Sequence, residues 1–259
     1  QMKRTYSHLQ RHARRWVAAL LVSCLYLAAR LPDVSIEERQ QLARQFKMDP
    51  VALPVPPGPD VRSVRPVHPS LSHIAAWISS VGAAVALNDL DGDGLSNDVC
   101  YVDVRTDQVI VVPAPGTGDR YAPFSLDAGA AFDRRTMAPM GCLPGDMNED
   151  GRMDLLVYYW GRTPLAFLRE AGAPMKYAAV EVVPGNERWY TNAAVFADAD
   201  GDGHADLIAG NYFADGAWIL DAQGSGAEQM QHSMSRAFNA GGDRLLLWQP
   251  QTAEVRSPF

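Results

Sequence analysis

After about residue 70 the apolar positions come in short runs separated by Gly, Pro and Asp: 83–87, 99–102, 109–112, 140–143, 155–159, 180–183, 193–197, 207–209, 218–220 and 245–248. Runs of this kind, rich in Val, Ile, Leu, Tyr and Trp and bounded by turn formers, predict strands and an all-β body over residues 70–259. The chain ahead of the body has another pattern. Residues 16–29 are almost wholly apolar, with Lys3, Arg4, Arg11, Arg14 and Arg15 before them and Arg30 after. A basic start followed by an apolar run of ~7–15 residues is the layout of a secretory signal. Residues 1–32 are therefore expected to be a signal anchor, with a cleaved signal peptide as the alternative. Positive charge ahead of the run keeps the N-terminus inside and exports the body, to the periplasm or cell surface. Leu21-Val22-Ser23-Cys24 adds a third reading, lipidation at Cys24. Next, Ser35 with Glu37 and Glu38 marks the start of a short helix. Pro50, Pro54, Pro56, Pro57, Pro59, Pro66 and Pro69 then make residues 48–69 a semi-rigid spacer. Residues 33–69 are thus expected to be helix plus linker, the alternative being a tail that hugs the rim of the body.

Between some of the strand runs lies a recurring acidic loop. Asp198, Asp200, Asp202 and Asp206 stand at positions 1, 3, 5 and 9, with Gly203 at position 6. Asp146, Asn148, Asp150, Gly151 and Asp154 repeat the pattern, as do Asp89, Asp91, Asp93, Gly94 and Asn97. Carboxylates at every second residue of a tight turn converge their oxygens, and hard oxygen donors suit Ca²⁺, which takes about 6–8 of them. Loop starts at 89, 146 and 198 give a repeat of roughly 50–60 residues, the size range of a propeller blade with its connections. Apolar runs on both sides of each loop read as strand, metal loop, strand. An EF-hand is excluded, because position 12 is Cys100, Val157 or Ala209 instead of the bidentate Glu that motif needs. Three plain Asx turns are the bland alternative.

These loops, Asp-x-Asp/Asn-x-Asp-Gly-x-x-Asp followed by Leu-Ile/Leu-Ala/Val, resemble the FG-GAP (VCBS-type) repeat of integrin-α-like β-propellers. The wording at residues 77–84, 138–146, 159–164 and 210–213 is similar to that of bacterial ASPIC/UnbV, cartilage-acidic-protein-like proteins. The likeness spans about residues 64–248, and it implies a partial β-propeller with Ca²⁺ at up to three sites. Two departures stand out. Gly210-Asn211-Tyr212 and Tyr158-Tyr159-Trp160 replace the usual Gly-Ala-Pro, and the first loop has Asn97 where a carboxylate is usual, with Asp98 one residue later. Relatives of this kind continue into further blades and a C-terminal domain, so a truncated member, or one that completes its ring with another chain, is expected.

The net charge is −7, but residues 1–47 carry nine Lys/Arg against three Asp/Glu, so the body is strongly acidic. An acidic body excludes a phosphate-backbone partner. The ligand set contains no His pair and no thiolate, which disfavours zinc and redox metals. His204, at position 7 of its loop, is expected to offer its backbone carbonyl and turn its side chain to solvent. Cys100 and Cys142 flank the first and second loops. An exported body permits a disulfide between them, and two buried thiols are the other reading. The scattered aromatics fit a core better than a ligand-binding face. No phosphate loop, Gly-x-Ser-x-Gly elbow or catalytic triad is present, so no catalytic residue is assigned. The expected function is a non-catalytic, calcium-binding envelope module that engages a protein or glycan. The alternative is a propeller scaffold for an envelope enzyme or a subunit of a membrane-bound complex, acting through Tyr159, Trp160 or Asn211.

Overall fold

The computed structural model describes residues 2–30, 34–130, 132–172, 175–230, 238–250 and 257–259, with the backbone alone at 2–12 and 14. It forms two units, residues 1–51 and 52–259. The first holds two helices, α1 (Met2–Ala29) and α2 (Ile36–Ala43). Ser35 caps α2 in a reciprocal box: its Oγ accepts from the Glu38 N–H at 3.1 Å, and the Glu38 carboxylate accepts from the Ser35 N–H at 2.9 Å. The apolar residues of α1, Trp16 to Leu27, are exposed. Among the described residues no helix is both long and apolar enough to cross a membrane.

The second unit is mostly β. β1 (Val85–Asn88), β2 (Asp98–Asp103), β3 (Gln108–Pro113) and β4 (Phe124–Ser125) form one antiparallel sheet in that order. A second sheet contains β5 (Ala138–Gly145), β6 (Asp154–Trp160), β7 (Leu165–Arg169) and β8 (Tyr177–Glu181). The third has β9 (Thr191–Ala197), β10 (Asp206–Asn211) and β11 (Arg244–Leu246), with β10 in the middle. Each acidic loop joins the first two strands of a sheet, as the flanking apolar runs predict.

Successive sheets pack face to face. Cys100, Val102 and Val111 of the first sheet meet Leu155, Val157 and Phe167 of the second. Leu156 and Ala166, on the opposite face of the second sheet, meet Leu207 and Phe196 of the third. β6 is thus covered on both faces, which is why its sequence is an unbroken apolar run instead of an alternating one. Cys100 on β2 and Cys142 on β5 are joined by a disulfide across the first interface, their Cα atoms 6.3 Å apart. A hub of Trp160, Tyr190, Phe213, Leu71, Ile78 and Ile219 ties the sheets to a short helix, α3 (Ala75–Ser80), and the 3₁₀ turn before it. The chain turns sharply after β6 at Gly161, whose φ is +88°. A Cβ there would lie 2.2 Å from the Thr136 carbonyl oxygen, so no side chain fits.

The structure departs from the spacer reading of residues 48–69. From Ala52 onward the tract belongs to the β unit, and it touches the first sheet. Leu53 packs on Val99, Ile110 and Val112, and the Pro54 carbonyl accepts the Tyr101 hydroxyl at 2.6 Å. The physical reason lies further on. Arg65 is 2% exposed and pairs with Asp107 at 2.9 Å, and the His68 N–H donates to Ile219 at 2.9 Å. A proline tract lacks N–H donors, but its carbonyls and rings still dock against a neighbouring sheet.

Candidate metal centre

All three loops share one hydrogen-bond frame. The first carboxylate of each accepts the N–H of the position-6 glycine: Asp89 from Gly94 at 2.8 Å, Asp146 from Gly151 at 2.9 Å, Asp198 from Gly203 at 3.1 Å. Those glycines have φ of +87°, +82° and +92°, a conformation L side chains adopt only under strain. The position-5 carboxylates each accept the N–H two residues on, from Leu95, Arg152 and His204.

The last carboxylate opens the following strand and is fully buried in every case: Asp98, Asp154 and Asp206. One of its oxygens accepts the N–H of the loop's second residue, from Leu90, Met147 or Ala199. This equivalence sets Asp98, not Asn97, in the strand-opening place. The first loop is one residue longer than the others, so Asp98 takes the place of Asp154 and Asp206. Asn97 donates its amide to Asp93 at 3.0 Å.

In the first and third loops the carboxylates gather. Oxygens of Asp89, Asp91 and Asp98 lie within 4.8 Å of one another, and so do those of Asp198, Asp200 and Asp206. The second loop has Asn148 at its third position, and the Asn148 amide donates to Asp150 at 3.0 Å. Asp93 and Asp202 stand beside the gathered trios as side members of the frame.

What balances the charge differs from loop to loop. In the first, the Arg120 guanidinium reaches Asp91, Asp93 at 3.2 Å, Asp98 at 2.5 Å and the Asn97 carbonyl at 2.8 Å. The Tyr121 hydroxyl donates to the same Asp98 oxygen at 2.8 Å, and burial together with that carboxylate raises the phenol well above its usual range. Arg169 of the second sheet adds bonds to the Leu90 and Asp91 carbonyls. In the second loop, Arg152 pairs with Asp150, and the second oxygen of Asp154 accepts the Arg169 N–H at 2.7 Å. Burial pushes the Asp154 carboxyl up to about 6. In the third loop the second oxygen of Asp206 accepts the Trp248 N–H at 2.8 Å. The N–H bonds from Trp248 and Ala199 hold that carboxyl below its usual range. Among the described residues no arginine bridges the third cluster.

His204 does not turn to solvent alone. Its ring stacks on Trp248 at 3.9 Å, and Nδ1 lies 2.6 Å from Glu149 of the second loop, whose carboxylate raises the imidazole pKa. Sequence reasoning noted Asp98 only as a carboxylate one residue late and did not single out Arg120, Tyr121, Arg169 or Trp248. These four lie outside the loop motif: Arg169 ends β7, and Arg120, Tyr121 and Trp248 lie in connections next to the loops they contact. Tyr159, Trp160 and Asn211, which the enzyme alternative needs at an accessible site, are 2%, 0% and 5% exposed. They belong to the core, as most of the aromatics do.

With this frame in view, the comparison with known families falls into place. Residues 146–209 match the FG-GAP-like repeat family. The match covers the second and third loops with the strands around them. No curated protein and no solved structure gave a match. An FG-GAP-like repeat on three successive antiparallel sheets describes a β-propeller-like repeat module.

Proposed function

We propose that the chain is an exported, calcium-binding repeat module that engages a protein or glycan partner without catalysing a reaction. One observation carries the metal part of this reading: the carboxylate oxygens of Asp198, Asp200 and Asp206 lie within 4.8 Å and are held apart from any arginine among the described residues. Three like charges at that range repel one another by an amount that a bound divalent cation converts to attraction. The donor set is all oxygen, which fits Ca²⁺ and not a thiophilic metal. Asp198, Asp200 and Asp206, with Asp202 beside them, would hold the ion in the third loop. Asp146, Asn148, Asp150 and Asp154 would do so in the second. The ion supplies charge neutralisation and a crosslink between neighbouring strands.

Export is supported by the basic and apolar N-terminal segment and by a disulfide between two sheets, since such bonds persist in oxidising compartments. A non-catalytic role is supported by the burial of the candidate residues of the enzyme alternative. The deciding experiment is thermal unfolding of the full chain in excess EDTA and again with Ca²⁺ or Mg²⁺. A ligand that binds only the native state adds about 2.7 kcal/mol at a hundredfold excess over its dissociation constant. A gain specific to Ca²⁺, reduced in Asp200→Ala and lost when Asp150→Ala is added, is expected. An identical unfolding curve in EDTA and Ca²⁺ overturns the metal reading.

A further inference from the structure

Trp248 stands where the second and third acidic loops meet. It lies two residues past β11, and its backbone N–H donates at 2.8 Å to Asp206, a member of the third cluster. Its indole Nε1 donates at 2.9 Å to the Met147 carbonyl, in the second loop. The indole also stacks on the His204 ring, with 3.9 Å between centroids and 9° between planes. His204 in turn reaches back to Glu149 of the second loop. Both loop residues that the indole touches are tied to carboxylates of the hydrogen-bond frame. The Met147 N–H donates to Asp154, and the His204 N–H donates to Asp202.

The same link recurs one repeat earlier. Leu155 pairs with Phe167 and Leu207 with Leu246, so Arg169 and Trp248 hold one place, two residues past the partner. Arg169 donates its N–H to Asp154 at 2.7 Å and its guanidinium to the Leu90 carbonyl of the first loop. In each case the main chain holds the buried carboxylate of one loop, and the side chain holds the second residue of the loop before it. In the first sheet that place falls to Ala114, whose side chain has no donor. Because Arg120 already balances the first loop, the junction at Trp248 is the one that joins two candidate ion sites.

We infer that Trp248 is a positioning residue that couples the second and third loops, so that an ion in either raises the affinity of the other; this rests on the calcium reading proposed above. An ion in the third loop fixes Asp206 and with it the Trp248 N–H. A fixed indole holds the Met147 carbonyl, and the Met147 N–H orders Asp154 in the second loop. The entropy of ordering these shared contacts is lost to the first ion alone, so the second binds more tightly.

The test is calorimetric Ca²⁺ titration of the full chain beside Asp150→Ala, which disables the second loop, and Asp200→Ala, which disables the third. The parent's overall constant for two ions is expected to exceed the product of the two single-loop constants about fivefold or more. Trp248→Phe keeps the main-chain N–H, an aromatic ring and every charge, and removes the Nε1 donor. In that background the excess should vanish. The Asp→Ala changes remove the same charges in both backgrounds, so coupling through the electrostatic field cancels between them. Hydrogen exchange adds a readout that needs no change at Trp248. In Asp150→Ala, Ca²⁺ should slow exchange of the Met147 N–H, in the loop that holds no ion, about fivefold or more. Constants that simply multiply, an excess that survives in Trp248→Phe, or a Met147 N–H indifferent to Ca²⁺ would each overturn the coupling and leave the calcium reading standing. No bound Ca²⁺ in the parent would overturn both.

Discussion

The first and third acidic loops carry nearly the same carboxylates on the same hydrogen-bond frame, yet they solve the problem of clustered negative charge differently. The first brings in Arg120, a cation supplied by its own chain and anchored by four contacts. The third gathers Asp198, Asp200 and Asp206 without one among the described residues. A loop with a built-in guanidinium is complete on folding, whereas a loop without one has a free energy that depends on the ions in solution. The family match covers the second and third loops and not the first. A motif therefore does not identify a metal site until its counter-charge has been located.

The largest effect that bears on this contrast should come from Asp98→Ala. It strands two backbone N–H groups, Arg120 and the Tyr121 hydroxyl in a buried place. Removing one partner of a buried ion pair costs roughly 3–5 kcal/mol. Urea unfolding should show that loss equally in EDTA and in Ca²⁺, and a loss confined to Ca²⁺ would make the first loop a metal site. Next in size is the calcium gain of about 2.7 kcal/mol at a hundredfold excess. It should shrink in Asp200→Ala, which removes the third-loop ion and leaves the second, and persist in full in Asp91→Ala; equal behaviour of the two variants would erase the distinction. Arg120→Gln goes further. It should cost roughly 2 kcal/mol in EDTA, the worth of a charge-assisted bond, and equilibrium dialysis should then find one more bound Ca²⁺ per chain than in the parent.

The second loop sharpens the comparison through pH. In EDTA, carboxyl-carbon NMR should place Asp154 at about 6, because burial penalises its charge, and Asp206 below the ordinary value near ~3.9. Since the folded state raises Asp154, its stabilising contribution is complete below about pH 4 and is lost as pH rises through about 6. For Asp206 the sign is opposite: its contribution is present above the ordinary value and is lost as pH falls. Coincident titration of the two would remove the contrast. The smallest effect belongs to Glu149, which holds φ +58° where the other loops have Gly92 and Gly201 at +83° and +82°. Glu149→Gly should raise stability by about 0.5 kcal/mol, as relief of backbone strain outweighs loss of an exposed bond to His204.

Much of this was legible beforehand because it is local. The strand–loop–strand order follows from apolar runs on either side of a motif, and the position-6 glycines announce their own φ. The buried place of Asp98 was hidden because a register counted from the loop's first residue cannot see one inserted before the strand begins. Strand pairing decides that Asp98, not Asn97, takes the buried place. Arg120 is hidden for a related reason: it lies 22 residues past Asp98 in a Gly- and Pro-rich stretch with no periodicity. The docked proline tract was hidden too, since composition reports stiffness and says nothing of what a stiff segment lies against. Arg65 and Asp107, 42 positions apart, are what tie it down.

The Cys100–Cys142 bond has one further consequence. It closes a loop of chain that contains β3, β4 and the whole glycine-rich stretch around residues 114–130, where a protease would most readily cut. A single cut there would leave two fragments still bound to each other, migrating as one species until a reductant is added. The sheets on either side of the wound would remain pinned across their interface, so the body is built to outlast a nick that would separate the halves of an unbridged chain.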